Sequence, residues 1–172
     1  MVVGGAGPDR GFHEQIFERV RVEKNELIDM LFCVPPSWVK PSQDTAHRSS
    51  RIGDLFATWG YQPWDAVDSL IRREFPQNIN QTRVVQYDSC RGLEGWAVFN
   101  YAIDEFFEYK RESFVDQSTQ EDFLDNPESR ALLFAKRWMM IPLTRAIDTL
   151  VLHVESKESY IGRVLDSMRD DE

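Results

Sequence analysis

Cysteine, histidine and clustered basic residues are scarce in this sequence, and each shortage removes support for a class of site. The two cysteines, Cys33 and Cys90, lie far apart, and no second Cys or His stands at a zinc-like spacing from either. The three histidines are scattered, and no Ser or Cys near them suggests an activated nucleophile. The sequence therefore favours neither a zinc site nor a hydrolytic triad, and its low cysteine content is typical of a reducing compartment.

Long apolar runs are also absent. No stretch of about 18 apolar residues occurs, as a membrane-spanning helix would need. The first residues lack a basic segment followed by a long apolar one, which is the pattern of a secretory signal. We therefore expect a soluble, cytoplasmic protein without a membrane partner.

Positive charge is in deficit, because the formal net charge is −9. Binding to a phosphate backbone by counterion release needs a cluster of Lys and Arg. The residues nearest to such a patch, Arg48, Arg51, Arg72 and Arg73, are as well explained as the solvated sides of helices. We expect the isolated chain to bind nucleic acid and nucleotides weakly, through local contacts only.

Apolar and aromatic residues are plentiful enough for one folded domain. The chain has 172 residues, of which 42% are hydrophobic, with five Trp and eleven Phe, and this composition excludes a disordered chain. Periodicity predicts strands at residues 27–34, 83–87, 96–103 and 149–154. It predicts helices at residues 12–24, from Ser50 to Gly60, from Asn126 onwards, and at residues 160–168. Strands that alternate with helices indicate an α/β fold, a parallel sheet flanked by helices.

The remaining segments complete the expected organisation. Residues 1–26 are interpreted as a flexible lead-in followed by an amphipathic helix, residues 27–169 as the domain, and residues 170–172 as an acidic tail. The polar interval 110–125 predicts a surface loop. Pro142 is expected to interrupt the helix that begins near Asn126, just before Thr144.

Two short segments, residues 87–96 and 142–146, are the candidates for a functional site. Residues 87–96 read as a strand that runs into a Gly-bounded turn. In an open α/β sheet ligands bind at the carboxyl ends of strands, so we expect a site at this turn. Gly92 and Gly95 would let backbone N–H groups approach an anion, and Glu94 could accept hydrogen bonds. The structural alternatives are a plain turn with an exposed Glu94 and a surface Arg145 near a helix C-terminus.

The spelling of these segments resembles motifs V and VI of the UvrD/Rep-type superfamily 1 DNA helicases. Arg91-Gly92-Leu93-Glu94 is similar to the family's Lys-Gly-Leu-Glu turn, and Thr144-Arg145-Ala146 to its Thr-Arg-Ala segment, in the same order. The resemblance implies a second RecA-like domain of the P-loop NTPase type, without the P-loop. It also implies a catalytic Arg145 that reaches the γ-phosphate across an interdomain cleft and a Glu94 that contacts the ribose.

The same resemblance assigns the neighbouring residues. Arg91, Gly92 and Thr144 join Glu94 in contacting the nucleotide, and Asp88 and Ser89 occupy the positions that contact the DNA strand. The cofactors are ATP and Mg²⁺, bound mainly by a first RecA-like domain, and the partners are that domain and single-stranded DNA.

The chain departs from the family pattern in three ways. Asp88 replaces the motif V His, and Arg91 replaces the Lys. The family's Asn-Tyr-Arg-Ser segment is missing, and no Gly-Lys dipeptide occurs, so no Walker A loop is present. We therefore expect a truncated or split helicase that is inactive alone. The alternative is a stand-alone, noncatalytic RecA-like module for protein interaction.

Overall fold

A sheet of six parallel strands lies between two layers of helices. The computed structural model describes residues 2–4, 8–41, 47–117 and 126–169. In chain order the strands are β1 Val2–Gly4, β2 Met30–Val34, β3 Val39–Pro41, β4 Arg48–Ser50, β5 Gln62–Asp65, β6 Gln81–Gln86, β7 Gly95–Asn100 and β8 Ala146–Val154. Strands β3 and β4 form a separate antiparallel pair. The order in the sheet is β1-β8-β7-β2-β6-β5.

The helices lie on both faces of this sheet. In the described part of the chain they are α1 Arg10–Val22, α2 Arg51–Thr58, α3 Ile103–Gln117, α4 Pro127–Leu143 and α5 Tyr160–Arg169. None of these helices is long and apolar enough to cross a membrane. The predicted class, an α/β fold with a parallel sheet flanked by helices, is confirmed.

Two hydrophobic cores follow from the alternation of side chains along the strands. In β2, Phe32 points to the core shared with α1 and α2, whereas Leu31 and Cys33 point to the core shared with α3, α4 and α5. All five residues of β2 are buried, as expected of a central parallel strand. The sequence predicts this strand correctly, except that residues 27–29 form a 3-10 turn before it.

Capping residues place two helices where the sequence predicts them. The Ser50 hydroxyl accepts a hydrogen bond from Gly53 N at 2.8 Å, and Gly60 has a φ of 90° after α2. The Asn126 side chain accepts from Glu128 N at 3.0 Å, and Pro127 is the first residue of α4. Pro142, which was expected to interrupt this helix, lies in its last turn, and α4 continues through it to Leu143.

The surface loop predicted at residues 110–125 is wrong where the structure describes it. Helix α3 continues to Gln117, and residues 118–125 lie outside the described ranges. Lys110 is buried on the same side of this helix as the apolar residues Ile103, Phe106 and Phe107. Its aliphatic stem is buried, but the residue reads as polar in a sequence pattern. For this reason the helical periodicity was hidden.

Several other boundaries differ from the sequence prediction. The strand expected at residues 96–103 ends at Asn100, because Ala102 has a φ of 44° and α3 begins at Ile103. Strands β3, β4 and β5 are short and were not predicted. Residues 2–4 pair with β8 rather than leading into a helix, and α1 begins at Arg10. Residues 5–7 of the predicted lead-in and the acidic tail lie outside the described residues.

Candidate functional site

The link between β6 and β7 is only eight residues long, although these strands are parallel and lie on either side of β2. This crossing segment, residues 87–94, must therefore run from the carboxyl-terminal edge of the sheet to its amino-terminal edge. It begins with the 3-10 turn Tyr87–Ser89. Tyr87 and Cys90 are buried in the core shared with α3, α4 and α5, and they fasten the crossing segment to that face.

The two motif-bearing segments meet at the amino-terminal edge. Gly95 N donates to the Arg145 carbonyl at 3.0 Å, and Gly95 stands opposite Ala146 in the parallel register of β7 and β8. Glu94 and Arg145 immediately precede these two residues, so their backbones lie side by side at the starts of neighbouring strands. The expectation of a site at the carboxyl ends of strands is therefore wrong for Glu94 and Arg145, because the crossing segment carries Glu94 to the opposite edge.

Arg145 is half-buried beside the end of α4. Its Nε donates to the Ile141 carbonyl at 2.9 Å, and its Nη2 donates to the Thr144 hydroxyl at 2.9 Å. The Thr144 hydroxyl in turn donates to the Met140 carbonyl at 2.8 Å. Within the described residues no hydrogen bond reaches Nη1 of Arg145, so one end of the guanidinium remains available. Thr144 thus holds Arg145 in place.

The charge of Arg145 extends into the core beneath it. The pKa of the Cys90 thiol is lowered, first by a hydrogen bond from Cys33 and then by the nearby Arg145 guanidinium. Burial raises the pKa of Cys33, the partner of Cys90. Both thiols are free, and both are buried.

Glu94 presents an exposed side chain on a fixed backbone. Its carbonyl accepts a hydrogen bond from Nη2 of Arg83 at 2.7 Å. Arg83 is buried within β6, and burial lowers its pKa while the charge of Asp29 acts in the opposite direction. Sequence analysis missed this residue. The available signal was a charged residue inside an apolar strand, which almost always has a partner when buried.

The two glycines of the turn have different roles. Gly92 is exposed and has a φ of 76°, a conformation that favours glycine. Gly95 is packed so tightly that a Cβ atom there would lie 3.0 Å from the Leu31 Cβ. Gly95 N donates a hydrogen bond to the Arg145 carbonyl, so it is not available to an anion. Of the two glycines, only Gly92 could present its backbone N–H to a ligand as predicted.

Arg91 is directed to α4, away from Glu94. Its Cζ lies 4.5 Å from the ring centroid of Trp138. The two residues line a pocket of about 230 Å³ together with Phe134, Arg137 and Ile141. Trp138 and Phe134 are only partly buried here.

Asp88 and Ser89 lie at the other edge of the sheet from Glu94. Asp88 Oδ1 is 2.6 Å from the Lys110 ammonium, and the Ser89 hydroxyl accepts from Nη1 of Arg72 at 2.8 Å. Lys110 is nearly buried, with its ammonium 3.8 Å from the Trp138 ring centroid. The structure therefore separates the residues expected to contact DNA from those expected to contact ATP, and it adds Lys110, which the predicted loop had concealed.

Asp104 and Glu105, the acidic pair at the start of α3, accept hydrogen bonds from residues that follow β8 and β2. The Asp104 carboxylate accepts hydrogen bonds from Glu155 N and Ser156 N, both at 3.0 Å. Glu105 accepts from the Ser37 hydroxyl. Across the described ranges, no group of three or more His, Cys, Asp and Glu residues is arranged to hold a metal ion.

The fold and this edge define an α/β protein in which a short crossing segment brings Glu94 beside Arg145. Comparison with protein-family models, curated proteins and solved structures finds no match for the chain.

Proposed function

We propose that this chain is the second RecA-like domain of a UvrD/Rep-type DNA helicase, and that it completes an ATP site shared with a first RecA-like domain. The supporting observation is the hydrogen bond between Gly95 N and the Arg145 carbonyl. These residues are 50 positions apart in the sequence. Their contact unites the two segments that resemble motifs V and VI at one edge of the sheet.

The architecture is compatible with this proposal. A parallel sheet with helices on both faces is the arrangement expected of a RecA-like domain. Fold alone does not define function, so the proposal depends on the edge where Glu94 and Arg145 lie.

Arg145 is proposed as the catalytic residue. With Nε held by the Ile141 carbonyl and Nη2 by Thr144, the guanidinium has a defined direction, and Nη1 is left to donate. A fixed cation beside a phosphoryl group stabilises the charge that develops as the group leaves. Thr144 is proposed to position Arg145 rather than to bind the nucleotide itself.

Glu94 is proposed to bind the ribose. Its exposed carboxylate can accept hydrogen bonds from ribose hydroxyls, and the bond from Arg83 to its carbonyl fixes where the side chain begins. Gly92, exposed beside it, lets the nucleotide approach the backbone closely. ATP supplies the phosphoryl group, and the Lys and Mg²⁺ ligands that hold the phosphates belong to the first domain.

Contact with single-stranded DNA is proposed for the opposite edge. Asp88 and Ser89 are there, but a carboxylate does not attract a phosphate backbone. Arg72, which donates to the Ser89 hydroxyl and is exposed, is a cation that could do so, whereas the Lys110 ammonium is paired with Asp88. The proposed ATP and DNA contacts are thus joined by the crossing segment.

The decisive experiment is reconstitution. The purified chain is mixed with a Walker A-bearing first RecA-like domain from the same parent chain or from a partner protein, and ATP hydrolysis is measured with and without single-stranded DNA. We expect no hydrolysis by either part and DNA-stimulated hydrolysis by the mixture. Hydrolysis by this chain alone that survives Arg145→Ala would contradict the half-site proposal. A mixture that associates without hydrolysing ATP would favour the noncatalytic interaction module.

A further inference from the structure

The pocket between the crossing segment and α4 has no role in the function proposed above. It has a volume of about 230 Å³ and is lined by Arg91, Phe134, Arg137, Trp138 and Ile141. We propose that this pocket binds a phosphate group, carried either by a free nucleotide or by the backbone of a single nucleic-acid strand.

The charge of the pocket favours an anion. Two guanidinium groups line it, and no carboxylate does. Neither Arg91 nor Arg137 forms a salt bridge within the described part of the chain. In a protein with a net charge of −9, a pocket lined by two arginines and no carboxylate is a local site that favours an anion.

Arg91 is preorganised to bind an anion. The Arg91 guanidinium lies against the Trp138 ring at 4.5 Å, and Lys110 lies 3.8 Å from the centroid of the same ring. Stacking restricts Arg91 but leaves the N–H groups at the rim of its planar guanidinium free to donate in that plane. Less conformational freedom is then lost when an anion binds.

The geometry of α4 supplies the rest of the wall. Phe134, Arg137 and Ile141 follow one another at spacings of three and four residues, which places them on one face of the helix. Phe134 and Ile141 are partly buried and give the pocket an apolar side. Arginine forks match phosphate oxygens bidentately, and the apolar side suits the sugar carbon next to a phosphate ester.

The size of the pocket limits the ligand. A volume of about 230 Å³ equals roughly seven or eight waters at about 30 Å³ each. Sites for drug-sized ligands start at about 300 Å³. The pocket therefore fits a phosphate with the adjoining part of a sugar, and not a whole buried nucleotide.

The residues that line this pocket do not include Glu94 or Arg145, the residues proposed to contact ATP. Arg91 turns to α4, whereas Glu94 and Arg145 lie at the amino-terminal edge of the sheet. The two places share only Ile141, which lines the pocket with its side chain and whose carbonyl accepts the bond from Arg145. Phosphate binding can therefore be tested on the isolated chain, whatever the outcome of reconstitution.

The test is a binding titration of the full chain by NMR. The indole N–H signal of Trp138, assigned with Trp138→Phe, is followed while pyrophosphate, ADP or a thymidine oligonucleotide of about 10 residues is added. We expect a saturable shift at low salt that weakens as salt is raised, with an affinity weaker than micromolar. Arg137→Gln should weaken binding about tenfold or more, because a charge-assisted bond is lost.

Lys136→Gln is the matched control, because it removes the same charge from the same helix without lining the pocket. It should change the affinity by less than about twofold. Saturation by pyrophosphate and ADP alone would identify a free phosphate compound as the source, and tighter binding of the oligonucleotide would identify a strand. The proposal is overturned if no phosphate shifts Trp138 or if both variants weaken binding equally. Binding of an acidic peptide where phosphates fail would overturn it too.

Discussion

The charged residues described above at the two edges of the sheet differ in whether they have partners within the fold. At the carboxyl-terminal edge the charges are partnered: Asp88 with Lys110, Arg51 with Glu155, and Asp104 with two backbone amides. At the amino-terminal edge the Glu94 carboxylate has no hydrogen-bond partner among the described residues. Arg145 there uses Nε and Nη2 locally and leaves Nη1 available. A charge bound within the fold stabilises the fold, whereas one held in position with a free donor or acceptor can serve a ligand.

The proposed ATP site departs from the general rule for ligand sites in α/β sheets. That rule places ligands at the carboxyl ends of strands. In this protein the crossing segment begins there and ends eight residues later at the other edge. We therefore expect substitutions of Glu94 and Arg145 at the amino-terminal edge to affect ATP turnover. Substitutions of the partnered charges at the carboxyl-terminal edge should affect stability.

The largest expected effect is on turnover at the amino-terminal edge. In the reconstituted ATPase, Arg145→Ala should lower kcat by roughly 10³–10⁵ while leaving ATP binding largely intact, because arginine fingers act mainly in the transition state. Steady-state kinetics with DNA present measure this change. Arg163→Ala, an exposed arginine on α5, is the control and should keep the parental rate. If Arg145→Ala retains that rate as well, Arg145 only caps α4.

The next effect is on stability at the carboxyl-terminal edge. Lys110→Ala should destabilise the isolated chain by about 2 kcal/mol, measured by urea unfolding, because it strips Asp88 of its partner and empties a site packed against Trp138. The value falls below that of a fully buried pair because Asp88 is 40% exposed. Lys136→Ala on α4 is the control, with a change below about 0.5 kcal/mol. Equal stability of the two variants would mean that the Lys110 pair is dispensable.

Glu94→Ala should separate binding from stability. In the reconstituted enzyme we expect the KM for ATP to rise about tenfold with little change in kcat, because a ribose contact is made equally in the ground and transition states. In the isolated chain the free energy of unfolding should change by less than about 0.5 kcal/mol, because the side chain is exposed. A large loss of stability would place Glu94 with the partnered charges of the other edge.

The smallest effect is a pH dependence after β5, again at the carboxyl-terminal edge. Burial alone would raise the pKa of Asp68, but hydrogen bonds from Leu70 N, the His47 ring and Arg48 N outweigh it and lower the pKa to about 2. The contribution of Asp68 is therefore present above its unfolded value of 3.8 and is lost as pH falls from there towards 2.

Asp68→Asn tests this directly. The variant should lose roughly 1 kcal/mol at neutral pH, and its stability should fall less steeply than that of the parent over the acid range. Urea unfolding at a series of pH values measures both slopes. Parallel slopes would show that Asp68 does not contribute to acid sensitivity.

Local signals in the sequence predicted helix starts and the central strand correctly, because a cap or an apolar run acts on its immediate neighbours. Ser50 caps α2, Asn126 and Pro127 begin α4, and the apolar run before Pro35 forms the central strand β2. They failed at Lys110, because a charged residue there suggests a surface loop although its aliphatic stem is buried in α3. They also failed at β5, whose four residues are too few to show a period.

The sequence by itself determined the α/β class, the positions of most helices and strands, and the two short segments that resemble helicase motifs, because these depend on neighbours in the chain. Only the tertiary structure decided that Glu94 and Arg145 share the amino-terminal edge, that Arg83 holds the Glu94 carbonyl, and that Arg91 turns to Trp138. Each of these contacts joins the crossing segment to another part of the fold. Their distances depend on strand order and register, and strand order and register are set by how the two cores pack on the sheet.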